Sequence, residues 1–311
     1  MEKKKVQILL SVYQPNERFL IRQLQSLNEQ DYSNLEVLIY DDGASINPCN
    51  TKIIEQCLTK VKYQILPNAE HNLGYILAFE TLLKASDADY IAFCDQDDIW
   101  RSDKIRKCVE ELEKSGSLAV ASDRMIIDEN DRVTCKSVRE VSKKNYDCWK
   151  TGDDICKYNL IVTYAVGMSI VANGKFSRGC LPFSRMTGHD KWILACASTE
   201  GKVSFINDTL VQYRRHKNNV SGVLTGIHSK KDYIDKRINP LIIMLSDFFN
   251  RYPNHKDRKE VESFANARMN HSFFQLIKYR DLAPDIVKFE IALSLTPDFL
   301  FPLLVKIAQK I

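Results

Sequence analysis

The string Asp95-Gln96-Asp97-Asp98 follows directly on the apolar run Tyr90-Ile91-Ala92-Phe93-Cys94. A strand of that composition delivers its carboxylates together where the backbone turns toward solvent. Two carboxylates about 4 Å apart repel by roughly 4 kcal/mol at an effective dielectric of about 20. Such a cluster wants a cation, and hard oxygen donors favour Mg²⁺ or Mn²⁺. A divalent ion at a strand end in turn points to a phosphate-bearing ligand. The same residues would equally serve as a solvated acidic turn ahead of a helix, and the string alone does not separate the two readings.

The elements needed to position these acids can be read from the pattern around them. Residues 6–13 form an apolar run stopped by Pro15 and Asn16, and 17–28 repeat apolar residues at helical spacing (Phe19, Leu20, Leu24, Leu27). Residues 35–40 predict a second strand ending in Asp41-Asp42-Gly43, 51–60 a helix, 63–66 a short strand, and Asn72-Leu73-Gly74 opens a helix through Lys84. Strands alternating with helices predict an α/β fold with a mainly parallel sheet. In such sheets ligands bind beyond the carboxyl ends of the strands. Ser11 with Tyr13, Asp41 with Asp42, and Asp95 to Asp98 all fall at such ends, which favours a nucleotide site. No GxGxxG follows the first strand and no GxxxxGK[ST] occurs, which argues against a dinucleotide dehydrogenase and a P-loop NTPase.

Further along, 118–121 and a stretch within 160–171 predict strands, and Gly188-His189-Asp190 precedes an apolar helix from Lys191, with Asp190 placed as its N-cap. Residues 203–206 and 210–213 predict two short strands, followed by Arg214-Arg215-His216. From about His228 the pattern is helical, punctuated by Pro240, Pro253, Pro284, Pro297 and Pro302. The expected division is a catalytic domain over 1–227, with a nucleotide-binding half to about 115 and an acceptor half from about 116, then a helical extension over 228–311.

Bulk properties narrow the class. With 44 Lys+Arg against 40 Asp+Glu the net charge is +4, too small to argue for a nucleic-acid partner. The 9 cysteines are odd in number and show no CxxC spacing, so free thiols in a reducing, cytoplasmic compartment are expected. Lys3-Lys4-Lys5 reads as a basic lead into the first strand, because the apolar run after it is too short for a signal peptide and lacks a cleavage site. No window reaches the roughly 20 apolar residues of a membrane span.

Taken in order, the clusters resemble the family 2 glycosyltransferases, which have the GT-A fold. The matching pieces run from Ile8-Leu9-Leu10-Ser11-Val12-Tyr13-Gln14-Pro15 and Val37-Leu38-Ile39-Tyr40-Asp41-Asp42-Gly43-Ala44-Ser45 to Asn72-Leu73-Gly74 with Phe79-Glu80. They continue through Asp95-Gln96-Asp97-Asp98-Ile99-Trp100 and Gly188-His189-Asp190 to Tyr213-Arg214-Arg215-His216 with Asn218-Asn219. The resemblance covers roughly residues 6 to 222. Within the family the chain looks most like bacterial rhamnosyltransferase-type enzymes of surface-polysaccharide synthesis.

The resemblance implies a role at each matching position. Ser11, Tyr13 and Asp42 would hold the nucleotide base, with Asp42 accepting from a pyrimidine N–H. Asp97 would meet the donor nucleotide as well as the metal, Asp97 and Asp98 would bind Mn²⁺ or Mg²⁺, and His216 would add a third metal ligand. Arg214 or Arg215 would contact the diphosphate, and strand alternation lets only one of them reach it. Asp190 would be the general base of an inverting transfer. Asp95, His189 and Trp192 would support the site or line its acceptor side, and Trp192 could equally be core. The segment Tyr75-Ile76-Leu77-Ala78 departs from the polar residues that relatives carry after the Asn-Leu-Gly triplet.

The expected activity is transfer of one sugar, rhamnose from a dTDP donor or a hexose from a UDP donor, to a saccharide or lipid-linked saccharide. A glycoside hydrolase and a non-catalytic carbohydrate-assembly partner are the alternatives. A hydrolase would need neither clustered acids nor a metal, and an inactive relative would not need the full acid set. The apolar tail beginning at Phe299 is expected to pack on the catalytic domain, to form a homodimer contact, or to touch the cytosolic membrane face.

Overall fold

The computed structural model describes residues 3–141, 149–216, 224 and 226–308. Asn218 and Asn219 lie outside them. The strands are β1 (Val6–Val12), β2 (Leu35–Asp41), β3 (Lys62–Ile65), β4 (Tyr90–Cys94), β5 (Ile99–Trp100), β6 (Ala119–Ile127), β7 (Val133–Cys135), β8 (Ile170–Asn173) and β9 (Val203–Arg214). They form one sheet in the order β3-β2-β1-β4-β8-β6-β9-β5, with β7 paired to β6. β1, β2, β3, β4, β6 and β9 run in one direction, and β5, β7 and β8 run against them.

Both faces of the central strands are covered, so β1 and β4 read as almost unbroken apolar runs rather than alternating ones. Leu9, Leu38 and Phe93 point to one side of the sheet and Ile8, Val37 and Ala92 to the other, each into its own core. The helices covering them are α1 (Glu17–Asn28), α2 (Thr51–Cys57), α3 (Tyr75–Ala85), α4 (Lys104–Ser115), α5 (Val138–Val141), α6 (Cys156–Ile161), α7 (Gly174–Gly179) and α8 (His189–Glu200). The extension adds α9 (Lys230–Tyr233), α10 (Asn239–Arg251), α11 (Arg258–Met269), α12 (Phe273–Lys278), α13 (Pro284–Leu295) and α14 (Phe301–Ala308).

Several boundaries differ from expectation for physical reasons. The stretch 160–171 is the end of α6, a 3₁₀ turn and the start of β8, since Leu160 and Ile161 pack as helix against α8. The two strands expected over 203–213 are one strand, β9. The polar Asn207-Asp208 step is absorbed by register shifts around Asp123 of β6 rather than by a turn. Between α9 and α10 the helix widens into a π turn over Ile234–Ile238. Pro240 has no N–H for the carbonyl of Lys236, which explains why the ladder loosens there.

The core does not stop at the expected boundary near 227. Leu241, Met244, Leu245, Phe248 and Phe249 of α10 belong to the same apolar cluster as Leu9 and Phe93. Phe248 meets Trp192 edge-on, with ring centroids 6.0 Å apart. Further out, Tyr233, Arg268 and Glu290 form a buried network, with Glu290 accepting from both Tyr233 Oη and Arg268 Nε at 2.8 Å. Phe274, Leu295, Phe299 and Leu303 stay exposed. Among the described residues no helix is long and apolar enough to cross a membrane, and the described cysteines are all free.

Candidate active site

The carboxyl ends of β1, β2 and β4 lie side by side, because Leu10 is in register with both Ile39 and Cys94. The loops leaving them are tied together by Gln96. Its amide accepts from the Tyr13 N–H at 2.7 Å and donates to the Tyr13 carbonyl at 3.0 Å, extending the sheet's bonding past the last ladder pair. Gln96 therefore does structural work between two acids, while Ser11 is half-buried and Tyr13 exposes its ring.

The acids of the string face different ways. Asp97 meets His216, its Oδ2 lying 2.7 Å from Nε2. Both side chains keep an outlet to solvent. Phe19 of α1 backs the imidazole at 5.2 Å. Asp98, expected to bind metal, has a buried side chain. Its Oδ1 accepts the Arg214 N–H at 2.9 Å. Burial and the neighbouring Asp97 and Asp95 push its carboxyl well above the usual range. Asp98 thus pins β4's loop to β9 through Oδ1, while its Oδ2 is buried without a hydrogen-bond partner among the described residues, which leaves that oxygen available to a cation.

Arg214, expected at the diphosphate, is an internal residue. Its guanidinium is fully buried, donating from Nε to the Asp97 carbonyl at 2.8 Å and from Nη1 to the Asp128 carbonyl at 3.0 Å, with Asp131 as its ion-pair partner. It stacks over Phe19 at 4.4 Å. Those contacts make Arg214 a brace that fixes the Asp97 backbone. Arg215, the next residue, is the exposed one.

Asp42 is also more internal than expected. Its carboxylate accepts from Leu73 N–H at 2.7 Å, Gly74 N–H at 2.8 Å and Asn72 Nδ2 at 2.9 Å. It clamps the start of α3 against the end of β2. Asp41 does the same for its own loop, through Gly43 and Cys49.

Asp190 stands on the acidic side of the cleft. The helix begins earlier than expected, at His189 with Gly188 as N-cap, so Asp190 lies inside the first turn of α8. Its Oδ1 accepts the Lys191 N–H at 2.7 Å. A Cβ on Gly188 would lie 2.4 Å from that oxygen, so a larger residue there would push the Asp190 carboxylate aside. Burial pushes the Asp190 carboxyl up, opposed by the Lys191 N–H and the Lys191 ammonium. Asp95 is pushed up to about 7 by burial, by Asp97 and by Asp190, so Asp190 lies within electrostatic reach of Asp95. Three segments distant in sequence thus converge on one cleft.

His189 and Trp192 are packing residues. His189 is sandwiched between Phe79 and Phe93 at 3.9 and 4.4 Å. Neither ring nitrogen has a partner among the described residues, and burial holds its pKa down at about 3. A Cβ on Gly167 would lie 2.3 Å from its Nε2, so that glycine makes room for the ring. Trp192 is buried and spends its indole N–H on the Cys180 carbonyl at 2.9 Å. It does not line the acceptor side.

Three residues at the cleft went unassigned in the sequence. Glu80, buried on α3, takes the Phe183 N–H and Arg185. A lone acid on the apolar face of a helix was the available signal. Tyr75 sits at the first position of α3, and Arg124 of β6 has a buried Nε without a partner among the described residues. Arg124 lies among Tyr213, Arg215 and Asp190.

Comparison with known proteins agrees with this architecture. An uncharacterized glycosyltransferase of Nostoc sp. is 27% identical over 221 residues, 68% of this chain and 65% of its own length, so the chain spans just under two thirds of that relative. The dTDP-rhamnosyl transferase RfbG of Shigella flexneri is 26% identical over 265 residues, 83% of this chain and 84% of its own. The crystal structure of S. aureus TarS 1-349 in complex with UDP-GlcNAc superposes with a TM-score of 0.54 at 13% identity, covering 91% of this chain and 82% of that one. That likeness speaks for the fold, a GT-A-like mixed sheet with a helical C-terminal region. The family model described as Glycosyl transferase family 2 matches residues 8–176, more than half the chain, and the protein accordingly belongs to that family.

Proposed function

We propose that the chain is a metal-dependent, inverting glycosyltransferase that moves one sugar from a nucleoside-diphosphate donor to a saccharide acceptor, free or lipid-linked. Rhamnose from a dTDP donor is the first choice and a hexose from a UDP donor the second. The observation that carries the reading is the shared cleft, with Asp97 and His216 paired on one side and Asp190 within electrostatic reach of Asp95 on the other.

Asp97 and His216 suit a divalent cation. The carboxylate is a hard oxygen donor and the imidazole a borderline one, and such ions commonly take one or two protein ligands plus substrate phosphates. Among the described residues no larger set of His, Cys, Asp or Glu gathers there, so donor oxygens would complete the shell. A bound Mn²⁺ or Mg²⁺ would offset the charge that builds on the departing diphosphate.

The remaining work falls to the chain. Gln96, Asp98 and Arg214 hold the Asp97 backbone in place, and Arg215 is the guanidinium free to meet phosphate oxygens. Asp190 accepts the proton of the acceptor hydroxyl as that oxygen attacks the anomeric carbon. The bond from that carbon to the diphosphate oxygen breaks, and its electron pair leaves with the nucleoside diphosphate. Attack from the face opposite the leaving group inverts the anomeric centre.

The test is release of nucleoside diphosphate from dTDP-rhamnose, UDP-glucose and UDP-N-acetylglucosamine with MnCl₂ or MgCl₂. Turnover of at least one donor, lost in Asp190→Asn while that donor still binds, is expected. Turnover that survives both EDTA and the substitution would sink the proposal.

A further inference from the structure

Tyr75, at the first position of α3, is an aromatic side chain that the fold leaves exposed beside the acids of the site. Its neighbours on α3, Ala78, Phe79, Leu82 and Leu83, are at most 1% exposed, whereas Tyr75 is 45% exposed. Tyr75 and Phe79 are four residues apart on one helix and so share a face. Phe79 stacks on His189 at 3.9 Å, and Asp190 follows His189. One turn toward the N-terminus, Tyr75 therefore stands on the α3 face that meets the first turn of α8. The phenol also feels the charges of Asp190 and Asp95 together, which with burial raise its pKa and keep it protonated.

The backbone beneath this ring is held in place. Asp42 clamps Asn72, Leu73 and Gly74, Gly74 takes a φ of 78° that glycine tolerates, and the Ala78 N–H closes the first turn on the Gly74 carbonyl at 3.0 Å. An exposed tyrosine on a fixed backbone offers a flat apolar face with a polar tip at low entropic cost. A sugar ring has the matching surface, with an apolar C–H face and a rim of hydroxyls.

We propose that Tyr75 is the platform on which the transferred sugar of the nucleotide donor rests, between the diphosphate side at Asp95 and the base Asp190, and that it selects among donor sugars. This assignment rests on the glycosyltransferase reading above. A ring that stacks on the sugar alone should leave the nucleotide contacts untouched.

That separation is measurable by calorimetric titration of the full chain with MnCl₂. The probes are UDP, dTDP, UDP-glucose, UDP-N-acetylglucosamine and dTDP-rhamnose. Tyr75→Ala should weaken the nucleotide sugar that the wild type binds by about tenfold, equivalent to about 1.4 kcal/mol, while changing affinity for the parent nucleotide by less than about twofold. Tyr75→Phe should keep both affinities. Equal losses for nucleotide and nucleotide sugar in Tyr75→Ala, or no loss of either, would overturn the platform. Wild-type protein that binds UDP or dTDP but none of the three nucleotide sugars would remove the donor reading, and the platform with it.

Discussion

The Glu80 carboxylate accepts the main-chain N–H of Phe183 at 2.7 Å, joining the middle of α3 to the segment that leads into Asp190. Arg185 reaches the same carboxylate at 3.1 Å, and Lys84 covers it from one turn away at 3.3 Å. With Phe79 packed on His189, the Phe-Glu pair of α3 sets both ends of the approach to the base. The Phe-Glu pair therefore fixes the position of the segment that carries Asp190.

Glu80→Ala is expected to leave the Phe183 N–H buried and unpaired, costing about 1–3 kcal/mol of stability. Glu80→Gln keeps an acceptor for that N–H but gives up the charge facing Arg185. Its expected signature is a lowered kcat with donor affinity unchanged, since the site of Asp97 and His216 is untouched. Calorimetric donor binding alongside steady-state rates checks the split, and a parallel loss of donor affinity would place Glu80 in a different role.

Arg214 and Arg215 give a sharper contrast, because neighbouring residues at the end of one strand face opposite ways. Arg214→Ala keeps the backbone N–H that Asp98 uses but removes the guanidinium donors of the Asp97 and Asp128 carbonyls, and should destabilise by about 1–3 kcal/mol. Arg215→Ala should change stability by no more than about 0.5 kcal/mol and instead weaken nucleoside-diphosphate binding. Urea unfolding and nucleotide titration on both variants decide the matter. Loss of binding without loss of stability in Arg214→Ala would reverse the assignment.

Much of this arrangement was legible in the residues. Runs such as Tyr90-Ile91-Ala92-Phe93-Cys94 announce strands buried on both faces, and the acids at their ends announce the ligand side. What stayed hidden was direction. Nothing local distinguishes Asp97 from Asp98; the pinning of Asp98 is decided by the Arg214 N–H, 116 residues further along the chain. Asp42 likewise looks like a free turn acid until Asn72, Leu73 and Gly74 arrive to occupy it. The single long β9 was hidden for a related reason. Asn207-Asp208 carries turn chemistry, and only pairing with β6 holds the backbone extended there, with Lys107 and Arg101 gathering Asp208.

His189 makes the protein sensitive to acid. Burial holds its pKa down at about 3 from an ordinary value of 6.5, so the folded state favours the neutral ring. The stability this contributes is fully present above pH 6.5 and is lost as pH falls toward 3. Within that window each pH unit removes at most about 1.4 kcal/mol. His189→Leu removes the titration, so its melting temperature should fall less than that of the wild type between pH 6.5 and 4. Equal slopes would mean that water reaches the ring.

Asp190 should trade stability for catalysis. Its carboxyl is raised by burial, so the folded state prefers the protonated form, and that preference is lost as pH rises through the raised value. At pH 7 the ionised group is therefore a net cost to folding. Asp190→Asn keeps an oxygen for the Lys191 N–H and removes the charge, so it should melt higher than the wild type at pH 7. The gap should close as pH falls below about 4, where an unfolded carboxyl is also protonated. The same variant should lose roughly 10²–10⁴ in kcat, the usual weight of a general base, and the wild-type kcat should decline as pH drops through the Asp190 titration. Calorimetric melting at both pH values and rates on one donor measure these effects together. A variant that melts lower at pH 7 would mean that Asp190 is held by charge partners rather than strained by burial, and that its carboxylate is structural.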